Sequence, residues 1–107
     1  MKQNILTVYE REEVLIDCSV IRNNNNDGPT YWKKIDENDE SCNLTIREDK
    51  EGKYHLENDN SSLTILNTKM SDSGNYYCCI VYLASKRYET AISEKTKLII
   101  EKSRHIL

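Results

Sequence analysis

The sequence predicts an all-β protein, built as a sandwich or a barrel of short strands. Apolar or alternating runs recur along the chain, and polar turn residues separate them about every 8–12 residues. No segment shows a sustained helical period, and no internal repeat or linker divides the chain. Its 107 residues suit one domain with one core. We therefore expect a single domain at 1–102, with 103–107 as the start of a stalk or tail.

The first four predicted strands are set apart by loops of typical composition. The run NNNNDGP at 23–29 is a loop because Asn and Asp bond to nearby backbone and Gly-Pro interrupts regular structure. The polar run DENDE at 36–40 connects the third strand to the fourth. These signals predict strands at 5–9, 14–20, 30–35 and 41–46.

The last four strands follow the polar connector REDKEG at 47–52. The run SSLTIL alternates so that Leu63 and Ile65 face inward. The run GNYYCCIVYL forms a long, largely apolar strand, and we expect the strand after it to be broken near its start. The predicted ranges are 53–57, 62–67, 74–83 and 89–100.

Charge and hydropathy exclude several classes of partner. The formal net charge is −3, and the basic residues are scattered among acidic ones, so no basic stripe is present for nucleic acid. The sequence contains no run of 18 or more apolar residues of the kind that could span a membrane. The opening MKQNILTVYE lacks the apolar centre of a secretory signal. We expect Met1 to start a trimmed domain, with any signal or membrane anchor outside this piece.

Cysteines and sequons favour an extracellular location. Four cysteines in a small domain are compatible with disulfides in an oxidising compartment. The tripeptides Asn43-Leu44-Thr45 and Asn60-Ser61-Ser62 have the form required for N-glycosylation. We expect sugars on Asn43 and Asn60.

The order of a cysteine, a tryptophan and a second cysteine adds a more specific signal. Cys18 is followed by Trp32, and the run DSGNYYC at 72–78 ends in the second cysteine. This arrangement resembles the immunoglobulin fold. The resemblance implies an immunoglobulin-like β-sandwich of two antiparallel sheets with Greek-key connections.

The same resemblance assigns structural roles to five residues. It implies that Cys18 and Cys78 form a disulfide between the two sheets and that Trp32 packs against it. Tyr76 fits the tyrosine corner, whose hydroxyl bonds back to the backbone, and Asp72 accepts bonds in the turn before it. These residues indicate a fold rather than an activity.

The second cysteine of the adjacent pair points away from the core. Successive side chains on a strand face opposite sides, so an inward Cys78 places Cys79 outward. The same alternation turns a half-apolar set outward, which is typical of a recognition face. A sugar or a neighbouring loop covering it is the alternative. The predicted ligand-binding face consists of Tyr31, Lys33, Ile35, Tyr77, Val81 and Leu83.

The favoured partner of Cys79 is Cys42, because an exposed pair of thiols would not persist in an oxidising compartment. If the strand at 30–35 lies between them, their backbones are about 9–10 Å apart. A disulfide requires the two Cα atoms to lie within about 7 Å. The bridge therefore requires a distorted strand at 41–46. Two free thiols or bonds between chains are the alternatives. No zinc or other metal site is expected, because His55 and His105 lack ligand spacing to these cysteines.

Two longer stretches resemble lymphocyte receptors. The stretch NDESCNLTIREDKEGKYHLENDNSSLTILNTKMSDSGNYYC is similar to the family of the B- and T-lymphocyte attenuator, and the end of the chain also resembles the programmed-death receptor. SEKTKLII replaces the Gly-x-Gly of antigen-receptor domains, and Lys33 stands where the attenuator family has a cysteine. The resemblance implies the outer domain of a type I membrane receptor. Its partner would be a tumour-necrosis-factor-receptor family member or an immunoglobulin-superfamily ligand.

These features predict a binding module, the ligand-binding domain of a co-inhibitory or co-stimulatory receptor, without a cofactor. A programmed-death-like ligand would cover the predicted face, whereas an attenuator-like ligand would add a strand to a sheet edge. A structural or adhesion module in a tandem array is an alternative, because fewer residues separate Cys18 from Cys78 than is usual in a variable-type domain. A viral or parasite decoy is another. Catalysis is not expected, because Ser, His and Asp residues occur without a catalytic motif.

Overall fold

The computed structural model describes residues 4–18, 28–36, 39–48 and 52–102 of the chain. Within these ranges it has nine strands and one short 3₁₀-helix, Met70–Asp72. No helix of the described part is long and apolar enough to cross a membrane. The strands are β1 Asn4–Tyr9, β2 Val14–Asp17, β3 Thr30–Asp36, β4 Asp39–Ile46, β5 Tyr54–Glu57, β6 Ser62–Ile65, β7 Gly74–Ala84, β8 Arg87–Ile92 and β9 Thr96–Glu101.

The strands form the predicted sandwich of two sheets. The larger sheet has the order β1-β9-β7-β3-β4, with β8 also paired to β7, and the smaller has the order β2-β6-β5. All pairs are antiparallel except β1 with β9, which is parallel. A parallel pair needs a long connection, and here nearly the whole domain lies between the two strands.

The core lies between the inward faces of the two sheets. The predicted disulfide joins Cys18 to Cys78, with 5.8 Å between their Cα atoms. Trp32 lies opposite Cys78 in the β3–β7 register and is fully buried. Burying an aromatic or branched side chain of this size contributes about 1.5–3 kcal/mol. Other core residues are Val14, Ile16, Ile46, Leu63, Ile65, Tyr76, Leu98 and Ile100.

The turn before β7 is held by a cluster of polar contacts. The Tyr76 hydroxyl donates to the backbone oxygen of Asp72 at 2.5 Å. Burial, then the charge of Asp72 and the neighbouring Tyr54, raises the pKa of Tyr76, so the hydroxyl keeps the proton that it donates. The buried Asp72 carboxylate accepts from the Lys69 backbone at 2.7 Å and from Lys53 Nζ at 2.6 Å. Each group therefore has a partner, which offsets the cost of burying it.

Seven of the predicted strand ranges agree with the structure to within two or three residues at the ends that it describes. The last range differs in its interior. Instead of one strand at 89–100 broken near its start, β8 begins at Arg87 and the break falls at 93–95. The β7–β9 register pairs Tyr76 with Thr96, whereas the β7–β8 register pairs Cys79 with Ile92. Continuing the first register would place position 93 opposite Cys79, so one extra residue is inserted at the break, as in a β-bulge.

The Tyr76→Phe substitution tests the contribution of the corner. It removes the donor to the buried Asp72 carbonyl without removing the ring, and we expect the free energy of unfolding to fall by about 1–3 kcal/mol. Tyr88→Phe is the matched control, because Tyr88 is 77% exposed, and its effect should stay within about 0.5 kcal/mol. Urea denaturation of both variants measures the difference. Equal stabilities would show that the corner bond contributes nothing.

Candidate binding face

The outward side chains of β3, β7 and β8 form one continuous surface, which we call the outer face. The strand registers place Tyr31, Cys79 and Ile92 in one row across it. The side chains between these positions along each strand, such as Trp32 and Cys78, point into the core. The outer face comprises Tyr31, Lys33, Ile35, Tyr77, Cys79, Val81, Leu83, Tyr88, Thr90 and Ile92.

The apolar groups of the outer face are most exposed at the β7–β8 end. Leu83 is 61% exposed, Tyr88 77% and Ile92 62%, and Tyr31 is 44% exposed on β3. Ile35, which the sequence placed on the ligand-binding face, is only 9% exposed. Alternation does turn Ile35 outward, but little of its side chain reaches solvent. The centre of the candidate site therefore lies nearer the hairpin than the sequence predicted.

The extra residue at 93–95 explains why β8 contributes to this face. On β9 the even-numbered residues point inward, and Leu98 and Ile100 belong to the core. A one-residue slip moves a strand's side chains to the opposite face, so the even-numbered residues of β8 point outward. Ser93 fixes the slip, since its backbone N–H donates to Cys78 O and its hydroxyl accepts from Cys78 N, each at 2.9 Å. Without it, Ile92 would face the core side of the sheet.

The sequence analysis missed Tyr88, Thr90 and Ile92. Their alternation with Arg87, Glu89 and Ala91 in RYETAI was the available signal. Which of the two sets faces outward depends on the extra residue near Ser93, and the local sequence pattern does not reveal that extra residue.

The β7–β8 hairpin is supported on one side and open on the other. Its two-residue turn places Ser85 and Lys86 at positive φ, 48° and 70°, as a turn matching the twist of a hairpin requires. On the β3 side, Val81 N donates to Pro29 O at 3.1 Å. A Cβ on Gly28 would lie 1.8 Å from Val81 O, so only glycine allows this approach. On the other side, β8 pairs with no described strand except β7.

Lys33 supplies the positive charge of the outer face. Its Nζ donates to Thr45 Oγ1 on β4 at 2.5 Å, which holds the half-buried side chain against the sheet. The ten side chains of the outer face include no carboxylate. A partner that fits this surface therefore combines apolar area with an acceptor or an acidic group opposite Lys33.

Cys79 carries a free thiol, so the bridge predicted between Cys42 and Cys79 is not formed. The register explains the failure. Asn43, next to Cys42, lies level with Asn75 of β7 through β3, and Cys79 lies four residues further along, on the order of 13 Å away. This displacement along the strands adds to the separation of about 9–10 Å across them, so the two cysteines are too far apart for a disulfide. The side chain of Cys42 lies outside the described part of the structure.

The thiol of Cys79 is nearly buried among its neighbours, with 8% of the residue exposed. Burial raises the pKa of Cys79, and the Lys33 ammonium opposes that shift. An ordinary free thiol already ionises only above neutral pH, so Cys79 is held in the unreactive protonated form.

Asn60 and His55 lie apart from the outer face. Asn60 is exposed in the turn between β5 and β6, and its backbone oxygen accepts from Trp32 Nε1 at 2.8 Å. His55 lines a shallow depression on the smaller sheet with Glu13 and Glu57, and no group in the described ranges is arranged to hold a metal ion. The side chain of Asn43 and the whole of His105 fall outside the described part.

Comparison with known proteins supports the fold. A family model described as an immunoglobulin domain matches residues 1–81, which include the disulfide, the tryptophan and the tyrosine corner. The search of curated proteins found no match.

The reactivity of Cys79 provides a test of its environment. In a Cys42→Ser background Cys79 is the single free thiol, and we expect slow alkylation by iodoacetamide with a pH midpoint above that of the urea-unfolded chain. Adding Lys33→Met removes the charge that favours the thiolate, so the midpoint should rise further. Because the unfolded chain ionises first, stability should begin to fall as pH passes the unfolded pKa and stop falling above the folded one. A folded midpoint at or below the unfolded value would contradict the burial of the thiol.

Proposed function

Because the chain belongs to the immunoglobulin domain family, we propose that it is the extracellular ligand-binding domain of an immune-cell co-signalling receptor. Its partner is a protein on the surface of another cell, either an immunoglobulin-superfamily ligand or a tumour-necrosis-factor-receptor family member. The rest of the receptor, including a membrane anchor, would lie outside this piece. The domain itself performs no chemistry and needs no cofactor.

The observation that carries the proposal is the composition of the outer face. Exposed Leu83 and Tyr88 lie opposite each other on β7 and β8, and exposed Ile92 lies four residues further along β8, beyond Val81 and Thr90. Tyr31 is two strands away from Ile92 in the same row. Single exposed apolar residues are normal, but a contiguous group ringed by polar residues is typical of a protein-binding site. Tyrosines are also enriched where interfaces concentrate their binding energy.

The rigidity of the sheet supports the same proposal. On β3 and the first half of β7, the side opposite the outer face buries Trp32, Tyr76 and Cys78 in the disulfide-linked core, so the outer side chains there are held in place before a partner arrives. Less conformational entropy is then lost on binding. Signalling would follow from bringing receptors together outside the cell rather than from a change of shape within this domain.

A binding screen tests the proposal. A multimer of the domain is added to cells that each express a single membrane protein, and the cells that bind it are identified. We expect a binder among immunoglobulin-superfamily or tumour-necrosis-factor-receptor family proteins. A complete panel of both families without a binder would contradict the proposal and leave a module of a tandem array as the better reading.

Lys33→Glu tests whether the identified ligand uses the outer face. Reversing a charge that a partner covers costs about 2–5 kcal/mol, so we expect affinity to fall about 30-fold or more. Lys102→Glu makes the same change in net charge beyond the end of β9, at the opposite end of the sandwich from the hairpin, and should leave affinity unchanged. Surface plasmon resonance measures both. Retained binding by Lys33→Glu would mean that the partner uses a sheet edge instead of the face.

A further inference from the structure

Along the outer edge of β8, a row of backbone hydrogen-bonding groups pairs with no strand of the described part. Ala84 and Arg87 flank the two-residue turn and form the first hydrogen-bonded pair of the hairpin. Such pairs alternate along an antiparallel ladder, so Arg87, Glu89 and Ala91 direct their backbone groups toward β7. Tyr88, Thr90 and Ile92 therefore direct their N–H and C=O groups away from it, toward the edge where no described strand pairs.

Two other strand edges in the described ranges are protected by acidic side chains. The Glu48 carboxylate accepts from Leu56 N on the outer edge of β5 at 3.0 Å. The Glu12 carboxylate accepts from Tyr9 N at the end of β1 at 2.7 Å. Acidic groups in these places satisfy the edge and block the approach of another strand. The described side chains provide no such contact at the outward groups of β8.

The sequence of β8 is complementary to itself when two copies run antiparallel. With Thr90 opposite Thr90, Tyr88 of each copy lies opposite Ile92 of the other, and Glu89 lies opposite Ala91. All three outward residues then form hydrogen-bonded pairs, and each pair exchanges two bonds. Shifting the pairing by two residues in either direction loses one pair of outward residues. The shift that places Tyr88 opposite Thr90 also places Glu89 opposite Glu89, which brings like charges together.

We propose that the chain forms a symmetric dimer by antiparallel pairing of β8 with β8 of a second copy, centred on Thr90. Tyr88–Ile92 contacts occur twice across this interface, so the most exposed aromatic residue of the described part packs beside an exposed aliphatic one. Aromatic pairs with β-branched residues are among the cross-strand contacts that stabilise sheets. The larger sheets of the two copies become one continuous sheet.

Sedimentation equilibrium of the whole chain, without ligand, tests for the dimer. We expect a monomer–dimer equilibrium in the unsubstituted chain. Thr90→Lys places two ammonium groups opposite each other and should weaken dimerisation about tenfold or more, since like charges directly opposite destabilise a strand pair. Thr7→Lys, at another exposed threonine on β1, is the matched control and should dimerise normally. A monomer at the highest soluble concentration, or equal weakening by both substitutions, would overturn the proposal.

Disulfide trapping tests the register. In a Cys42→Ser, Cys79→Ser background, Thr90→Cys places two thiols across a hydrogen-bonded pair with Cα atoms about 5.5 Å apart, within disulfide reach. We expect a covalent dimer on oxidation. Tyr88→Cys in the same background should form no covalent dimer, because the two copies of position 88 lie four residues apart, roughly 13 Å. Equal cross-linking of both variants, or none by Thr90→Cys in a folded chain, would contradict this pairing.

Discussion

The alternation of side chains along β7 is the constraint on which the rest of this domain depends. Tyr76, Cys78 and Ile80 are fully buried, and they connect the strand to the corner, the disulfide and the core. The residues between them are therefore forced outward. Because β7 pairs with β3, β8 and β9, this single alternation sets which side chains of these strands face the core side of the sheet and which face the opposite side.

The adjacent cysteines show the consequence most directly. Cys78 is committed to Cys18, and the backbone then places Cys79 on the other side of the sheet. There it lies in a row with Tyr31 and Ile92, and these neighbours together with Lys33 define its surroundings. A small, poorly polar side chain suits the middle of an apolar surface. Cys79 therefore contributes to the outer face by packing, and its raised pKa keeps it from reacting.

The sequence was sufficient to predict what alternation and turn chemistry control. Seven of the eight strand ranges, the Cys18–Cys78 disulfide and the outward set on β3 and β7 follow from patterns local to each strand, read with the resemblance to a known fold. What it could not predict depends on register between strands. The Cys42–Cys79 bridge failed because the β3–β4 pairing places Asn43 level with Asn75, and no local pattern specifies that alignment. The side chain of Ile35 points outward as predicted, but it is buried, and alternation along one strand does not show which neighbours cover a side chain.

The residue inserted near Ser93 decides which side of the larger sheet the side chains of β8 face. One additional position turns Tyr88, Thr90 and Ile92 from the core side to the outer face, and it leaves the same residues with their backbone groups on an open edge. A dimer axis through Thr90 would stand perpendicular to the joined sheet, so both outer faces would point the same way. Two ligands on one opposing surface could then be bound together, and the second would bind at a high effective concentration. In the proposed receptor, such paired binding would strengthen the contact between cells and would bring two receptors together without a change within either domain.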